Sequence, residues 1–186
     1  MRSLAILLIA CLLAGCGSRP EWADGRMVRE ERRAGAAPQD LSRLEARMLA
    51  LHNRERAATG APPLAWDASL AAAAAAYGPS LERLGKLEHS PPATRIGQGE
   101  NLWMGTRGAY SLEEMVGGWA GEKSLFRPGI FPRVSASGNW SDVAHYTQMI
   151  WKDSTRIGCA LHRSRDWDFL ICRYSPPGNV VRQGVP

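Results

Sequence analysis

The chain lacks most of the features that would commit it to a familiar catalytic chemistry. It has no Gly-x-Ser-x-Gly elbow, so neither Ser137 nor Ser154 stands out as a nucleophile. His-Glu-x-x-His is absent, which argues against a zincin protease. Past the first residues there is no long apolar run, and the sequence offers no transmembrane helix. It also lacks a run of one charge. Lys and Arg number 23 against 18 Asp and Glu, a formal net charge of +5, and Arg29, Arg32 and Arg33 are interrupted by Glu30 and Glu31. That scatter argues against a nucleic-acid-binding tract and for a solvated linker. No internal repeat appears.

The one apolar run comes first. Arg2 supplies a short positive region, and Leu4 to Leu13 form an apolar stretch too short to span a bilayer. Leu13-Ala14-Gly15-Cys16 resembles a bacterial lipoprotein processing site with cleavage before Cys16; the alternative is an ordinary secretory signal with a chance cysteine. Acyl chains on Cys16 would hold the protein to a membrane, since two or more chains bind stably where one binds only marginally. Gly17 and Ser18, with no aspartate, favour the outer membrane within that resemblance. The expected organisation is a signal over 1–15, a tether over 16–38 and one domain over 39–186, long enough for a full core.

Four cysteines fit export. Cys11 would leave with the signal and Cys16 would take lipid, which leaves Cys159 and Cys172. Both lie in strand-like runs joined by the polar Arg163-Ser164-Arg165-Asp166, the pattern of a hairpin that a cross-strand disulfide would staple in an oxidising periplasm. Two buried free thiols are the other reading.

Helix signals dominate the first half. Ser42 and Glu45 have capping-box spacing, and Leu44, Arg47, Met48 and Leu51 follow with helical period to Gly60. Asp67 is an N-cap for a helix over Ala68 to about Leu84, where Gly78-Pro79 predicts a kink or break. Ser111 and Glu114 form another capping box, opening a helix toward Lys123. Phe126 to Trp140 reads as a long ordered loop, and the chain ends in a turn and a short polar tail. Helices first and strands last point to an α+β fold.

Ala144-His145-Tyr146-Thr147-Gln148-Met149-Ile150-Trp151 puts four polar side chains in succession before three large apolar ones. Buried polar groups need partners and a surface loop would not carry Met-Ile-Trp, so this segment reads as a cleft wall anchored in the core. Tyr146 and Gln148 are candidate cleft donors. His89, Glu100, Glu122 and His145 are the groups able to carry chemistry. Two imidazoles and two carboxylates suit a divalent cation such as zinc; alternatively, each glutamate orients a histidine. His52, inside a helix block, is read as structural. Trp66, Trp103, Trp119 and Trp151 are assigned to packing, with Trp22 and Trp167 exposed.

Five ordered blocks resemble the CAP superfamily of cysteine-rich secretory, antigen 5 and pathogenesis-related proteins. They are His52-Asn53 with Gly60, Pro63-Leu64 and Trp66-Asp67; His89 with Gly99-Glu100-Asn101-Leu102; Trp119-x-x-Glu122; the 144–151 signature; and Phe169-Leu170-Ile171-Cys172-Arg173-Tyr174 running on through Asn179-Val180. The resemblance covers about residues 41–180. It implies a three-layer α-β-α sandwich with a small central antiparallel sheet. It also implies that His89, Glu100, Glu122 and His145 form the family's cleft tetrad, the histidines as metal ligands and the glutamates holding them or binding water. Ala144 departs from the usual residue types at its signature position, and the 123–141 stretch with Trp140 differs from many relatives in a way that could reshape the groove.

Three functions follow as expectations. The first is a lipid-anchored, periplasmic binding module with a divalent-cation site and a cleft of Trp and Met for a lipid or small hydrophobic ligand. The second is a metal-dependent envelope hydrolase or peptidase with Glu100 or Glu122 as general base. The third is a structural envelope protein whose tetrad only braces the fold.

Overall fold

A computed structural model describes residues 43–186 and, in backbone only, residues 28–30. The signal over 1–15, the lipidation site Cys16, Trp22 and Ser42 lie outside the described residues.

The first helix, α1 (Leu44–Thr59), starts at Arg43, which adopts a left-handed φ of 59° with no side-chain cap, and stops at Gly60, φ 73°. Gly60 satisfies the last carbonyls from a conformation that costs a residue without a Cβ little. A short strand, β2 (Ala65–Trp66), leads into α2 (Ala68–Leu84). Asp67 caps α2 as its spacing predicts, its carboxylate accepting from the amides of Ser69 at 2.9 Å and Leu70 at 3.1 Å. Of the kink or break expected at Gly78-Pro79, the break does not occur: α2 runs through the proline. A proline clashes with the Cβ of the preceding residue, and here that residue is Gly78. The same missing Cβ lets α2 approach the sheet, for one built on Gly78 would lie 2.5 Å from His162.

Strand β3 (Gly99–Thr106) is followed by α3 (Leu112–Gly121), opened by the predicted Ser111–Glu114 capping box, and a 3-10 turn over Glu122–Ser124. The stretch expected to be loop contains β4 (Gly129–Ile130), which pairs antiparallel with β7 (Gly184–Val185) in the tail. Val185 is buried, so the tail is an anchored end rather than a polar one. A two-residue strand carries too little pattern to be seen in sequence. Between them come α4 (Ala144–Ile150) and the hairpin of β5 (Arg156–Arg163) and β6 (Trp167–Ser175). Cys159 and Cys172 sit directly opposite each other in the hairpin and form the disulfide.

The central sheet has the order β1-β3-β6-β5-β2, with β1 (Val28–Glu30) pairing parallel to Trp103–Gly105. The expected antiparallel sheet is formed by β3, β6 and β5, and the short edges β1 and β2 add parallel pairings on either side. Residues 28–30, expected within the tether, are thus one edge of the sheet.

Alternation along β3 and β6 sends side chains to both faces. Leu102, Met104, Phe169 and Ile171 pack with Ala74 and Leu81 of α2. Trp103, Leu170, Cys172 and Tyr174 join Met48, Met115, Trp119, Met149 and Ile150 from α1, α3 and α4. The molecule is a three-layer α-β-α sandwich.

Candidate functional site

The sheet ends where β3 begins, and there its two faces deliver different groups to one place. Glu100 lies on the α2 face, in register with Arg173. Asn101 lies on the other, where α4 carries His145. A cleft of about 320 Å³ opens at this end, lined by His89, Glu100, Asn101, His145 and Gln148 among others. Sequence reasoning had brought four of these into consideration.

The four titratable groups form two histidine–glutamate pairs. His89 Nδ1 lies 2.7 Å from Glu100 Oε1, which also accepts from the Ser90 amide at 3.0 Å. The second oxygen, Oε2, faces Arg173 Nη2 at 3.0 Å, and both of those side chains are buried. Burial pushes the Glu100 carboxyl up, but the His89 hydrogen bond, the Arg173 charge and the Ser90 amide together hold it below the usual carboxylate value. His145 Nδ1 lies 2.5 Å from Glu122 Oε1. Glu122 Oε2 accepts from the amides of His145 at 2.9 Å and Tyr146 at 3.0 Å, so this carboxylate also closes the first turn of α4. It stands behind His145 rather than in the cleft lining.

A carboxylate accepts only, so each histidine donates from Nδ1, and in the neutral imidazole Nε2 is then the lone-pair nitrogen. The two rings differ in depth: the His89 side chain is 45% exposed and that of His145 6%. Among the described residues no cluster of three or more His, Cys, Asp or Glu is arranged to hold a metal. The glutamates face the histidines, which is the orienting arrangement rather than a four-ligand set.

His145 is fixed from every side. Trp119, assigned to packing from sequence, stacks on its ring at 6.0 Å and 12°, and Trp119 Nε1 is itself tied to the Leu102 carbonyl at 3.2 Å. Asn101 Nδ2 donates to the His145 carbonyl at 3.1 Å and to the Tyr174 hydroxyl at 3.2 Å. Tyr174 passes its proton toward His52 Nε2 at 2.9 Å, while His52 Nδ1 donates to the Met48 carbonyl at 2.8 Å. His52 is fully buried, and burial holds its pKa down to about 4 despite the Met48 bond, so it is the neutral structural group its sequence context indicates. At the other end of α4, Arg56 donates to the carbonyls of Met149, Trp151 and Ser154. Its charge sits at the helix C-terminus and Glu122 at the N-terminus, each where the backbone dipole favours it.

Gln148 reaches the cleft as expected. Its Oε1 accepts from the Gly178 amide at 2.8 Å and its Nε2 donates to Ser154 Oγ at 3.2 Å. A Cβ on Gly99 would collide with that amide, so the glycine lets β3 pass beneath it. Tyr146, expected as a cleft donor, instead packs in the core against Phe126, ring centroids 5.4 Å apart, and is 5% exposed. One residue along a helix turns a side chain by about 100°, and that rotation takes Tyr146 out of the cleft. The lining has no methionine: Met104 and Met149 are buried core, and the apolar wall is Trp140 with Pro177. Arg173 and Asn179 fall within the fifth family block but were assigned no role there, and Arg95 carried no signal. Asn179, at φ 58°, donates to the Ala144 carbonyl at 2.9 Å and accepts from Thr147 at 2.6 Å, fastening the 177–179 loop to α4.

A family model described as the cysteine-rich secretory protein family, CAP, matches residues 49–174. The chain belongs to this family. A pathogenesis-related protein of the PR-1 type from Sambucus nigra is 37% identical over 134 residues, 71% of this chain and 75% of that protein. Pathogenesis-related protein 1 of Arabidopsis thaliana is 34% identical over 152 residues, covering 81% and 83% of the two chains. Among solved structures, NaASP2, determined with Zn2+, superimposes with a TM-score of 0.63 at 21% identity, over 81% of this chain and 88% of that one. These place this CAP domain's fold beyond its own contacts.

Proposed function

We propose that this CAP protein is an extracytoplasmic binding module whose cleft takes a divalent cation and an amphipathic ligand. One observation carries the reading: two histidines line one cleft, each with Nδ1 held by a carboxylate and Nε2 left as a lone-pair donor. Metal-ligating histidines commonly donate their other ring N–H to a carboxylate in this way, which fixes the tautomer and raises ligand basicity. NaASP2, a relative in fold, was determined with zinc. His89 Nε2 and His145 Nε2 would be the protein's two ligands, with solvent or ligand oxygens completing the shell. Trp140 and Pro177 add apolar surface to the lining beside the polar groups.

The glutamates are engaged. Glu122 accepts three hydrogen bonds, and Glu100 accepts two while its second oxygen is ion-paired, so neither stands free as a general base and binding is favoured over hydrolysis. For location, the disulfide calls for an oxidising compartment, and Leu4 to Leu13 followed by Cys16 supports lipid anchoring to a bacterial envelope, with the domain on the periplasmic side.

The test is a calorimetric zinc titration of the protein and of a His89→Ala, His145→Ala double variant, with folding checked by circular dichroism. One site in the wild type, lost in the variant, is expected. A folded wild type that binds no zinc, or a variant that binds it equally well, refutes the cation reading and favours a tetrad that only braces the fold.

A further inference from the structure

We infer that the cleft's ligand presents an anionic oxygen group, a carboxylate or a phosphate, to Arg95. The inference rests in part on the cation-binding reading above, because a bound cation would add to the positive charge that the ligand must meet.

Arg95 is built into the cleft wall. Its amide donates to the Pro92 carbonyl at 3.1 Å, and its carbonyl accepts from the Gln98 amide at 2.9 Å, which closes the turn that Gly97 allows at φ 69°. The guanidinium is anchored as well: Nε donates to the Ser90 carbonyl at 3.0 Å and Nη1 reaches the Gln98 carbonyl at 3.5 Å. Two nitrogens are thus spent on backbone, and Nη2 is left for a ligand. A guanidinium held this way has already lost most of the rotamer freedom that ligand binding would otherwise take from it.

The carboxylates near the cleft do not neutralise it from the ligand side. Glu100 turns its oxygens to His89, Ser90 and Arg173, and Glu122 turns its own to His145 and the start of α4. Arg95 is therefore the fixed charge that faces an incoming molecule. A divalent cation on the two histidine nitrogens would add two positive charges beside it and would still need oxygen ligands. An anion answers both needs, and a fork of guanidinium nitrogens suits carboxylate and phosphate alike. Gln98, on the same wall, has a buried Oε1 with no partner among the described residues; as an acceptor it calls for a donor, such as water, and is not a contact for the anion. Trp140, 43% exposed, lines the same cleft and offers its ring to the ligand's apolar part.

The experiment titrates octanoate, octyl phosphate, inorganic phosphate and octan-1-ol into the full chain, once with zinc and once with EDTA, and repeats the series on Arg95→Gln and Arg95→Lys. We expect an anionic octyl probe to bind at least about tenfold tighter than octan-1-ol, to weaken by about tenfold in Arg95→Gln and to recover partly in Arg95→Lys. Zinc binding without probe should not weaken in either variant, since both histidines are kept and Arg95→Gln only removes a like charge near the cation. Inorganic phosphate binding as tightly as octyl phosphate would support the inference with a free anion as the ligand; weaker binding would support it with an amphiphile's headgroup. Equal affinity for octan-1-ol, no effect of Arg95→Gln, or no binding of any anionic probe overturns it. The EDTA series separates the two readings, since Arg95-dependent anion binding there stands even if the protein takes up no zinc.

Discussion

Changing Glu122 to Gln removes one charge and one acceptor from the support of His145, and the outcome can be worked through atom by atom. Glu122 Oε2 serves two backbone amides and Oε1 serves His145 Nδ1. Gln has a single oxygen. If it replaces Oε1, the amide NH2 points at two backbone N–H groups, and two half-buried donors go unpaired at about 1–3 kcal/mol each. If it replaces Oε2, only the charge assistance is lost, about 1–2 kcal/mol, but the NH2 then faces Nδ1. The second arrangement wins, and it forces the ring proton from Nδ1 to Nε2. The variant should therefore fold with a Tm lower by about 2–8 °C, given about 2–4 °C per kcal/mol for a chain this long. Its zinc affinity should fall about 10–100-fold, because Nε2–H offers no lone pair. Thermal melts, zinc calorimetry and nitrogen-15 spectra of the imidazole report the three quantities. Retention of Nδ1–H with unchanged zinc affinity would refute the assignment of Glu122 as the residue that sets the tautomer.

His52 makes stability pH-dependent: its unfolded pKa is 6.5 and its folded value about 4, so the unfolded state binds more protons between them. Stability from this group is complete above about pH 6.5 and falls as pH drops toward 4, by about 3 kcal/mol in all, and urea unfolding of wild type against His52→Gln should show that slope only in the wild type. Arg56→Met should cost about 3–5 kcal/mol by urea unfolding, because it leaves the carbonyls at the end of α4 without donors in the core; a loss under about 1 kcal/mol would contradict the role given to Arg56. Gly158→Ala places a methyl against the backbone of Asp67 and Ala71, neither of which can rotate away, so a loss of about 1–3 kcal/mol or non-expression is expected, whereas Gly117→Ala, exposed inside α3 and meeting nothing, should gain about 0.5–1 kcal/mol in the same melt.

The first three helices, the hairpin and the disulfide were legible because each rests on local signals: Asp67 and Ser111 at caps, Gly60 at a stop, and two apolar runs with a cysteine in each; α4 lacked such a cap and read only as a cleft wall. His89, Glu100, Glu122 and His145 were legible as residue types, and the family resemblance gathered them. Their pairing was not, because which carboxylate meets which nitrogen is decided by β3 lying in register with β6 and by the 3-10 turn after α3. Arg95 and Arg173 were given no role for the same reason. An arginine in a loop and one in a strand look like surface charges until the fold sets them behind a cleft. The break expected at Pro79 failed because the local rule ignored what Gly78 permits. Tyr146 was misplaced because adjacency along the chain was taken for adjacency in space. On a helix, neighbours point apart.

The two histidine–glutamate pairs come from opposite sides of the central sheet, His89 from the layer of α2 and His145 from that of α4. Any ion gripped by both nitrogens becomes a tie between the outer layers, crossing the end of the sheet. Such a tie is reversible and acts by mass action, strengthening the fold only as far as the ion's concentration exceeds its dissociation constant. The domain's resistance to unfolding would then follow the metal content of its surroundings, unlike the permanent tie that Cys159 and Cys172 make within a single hairpin.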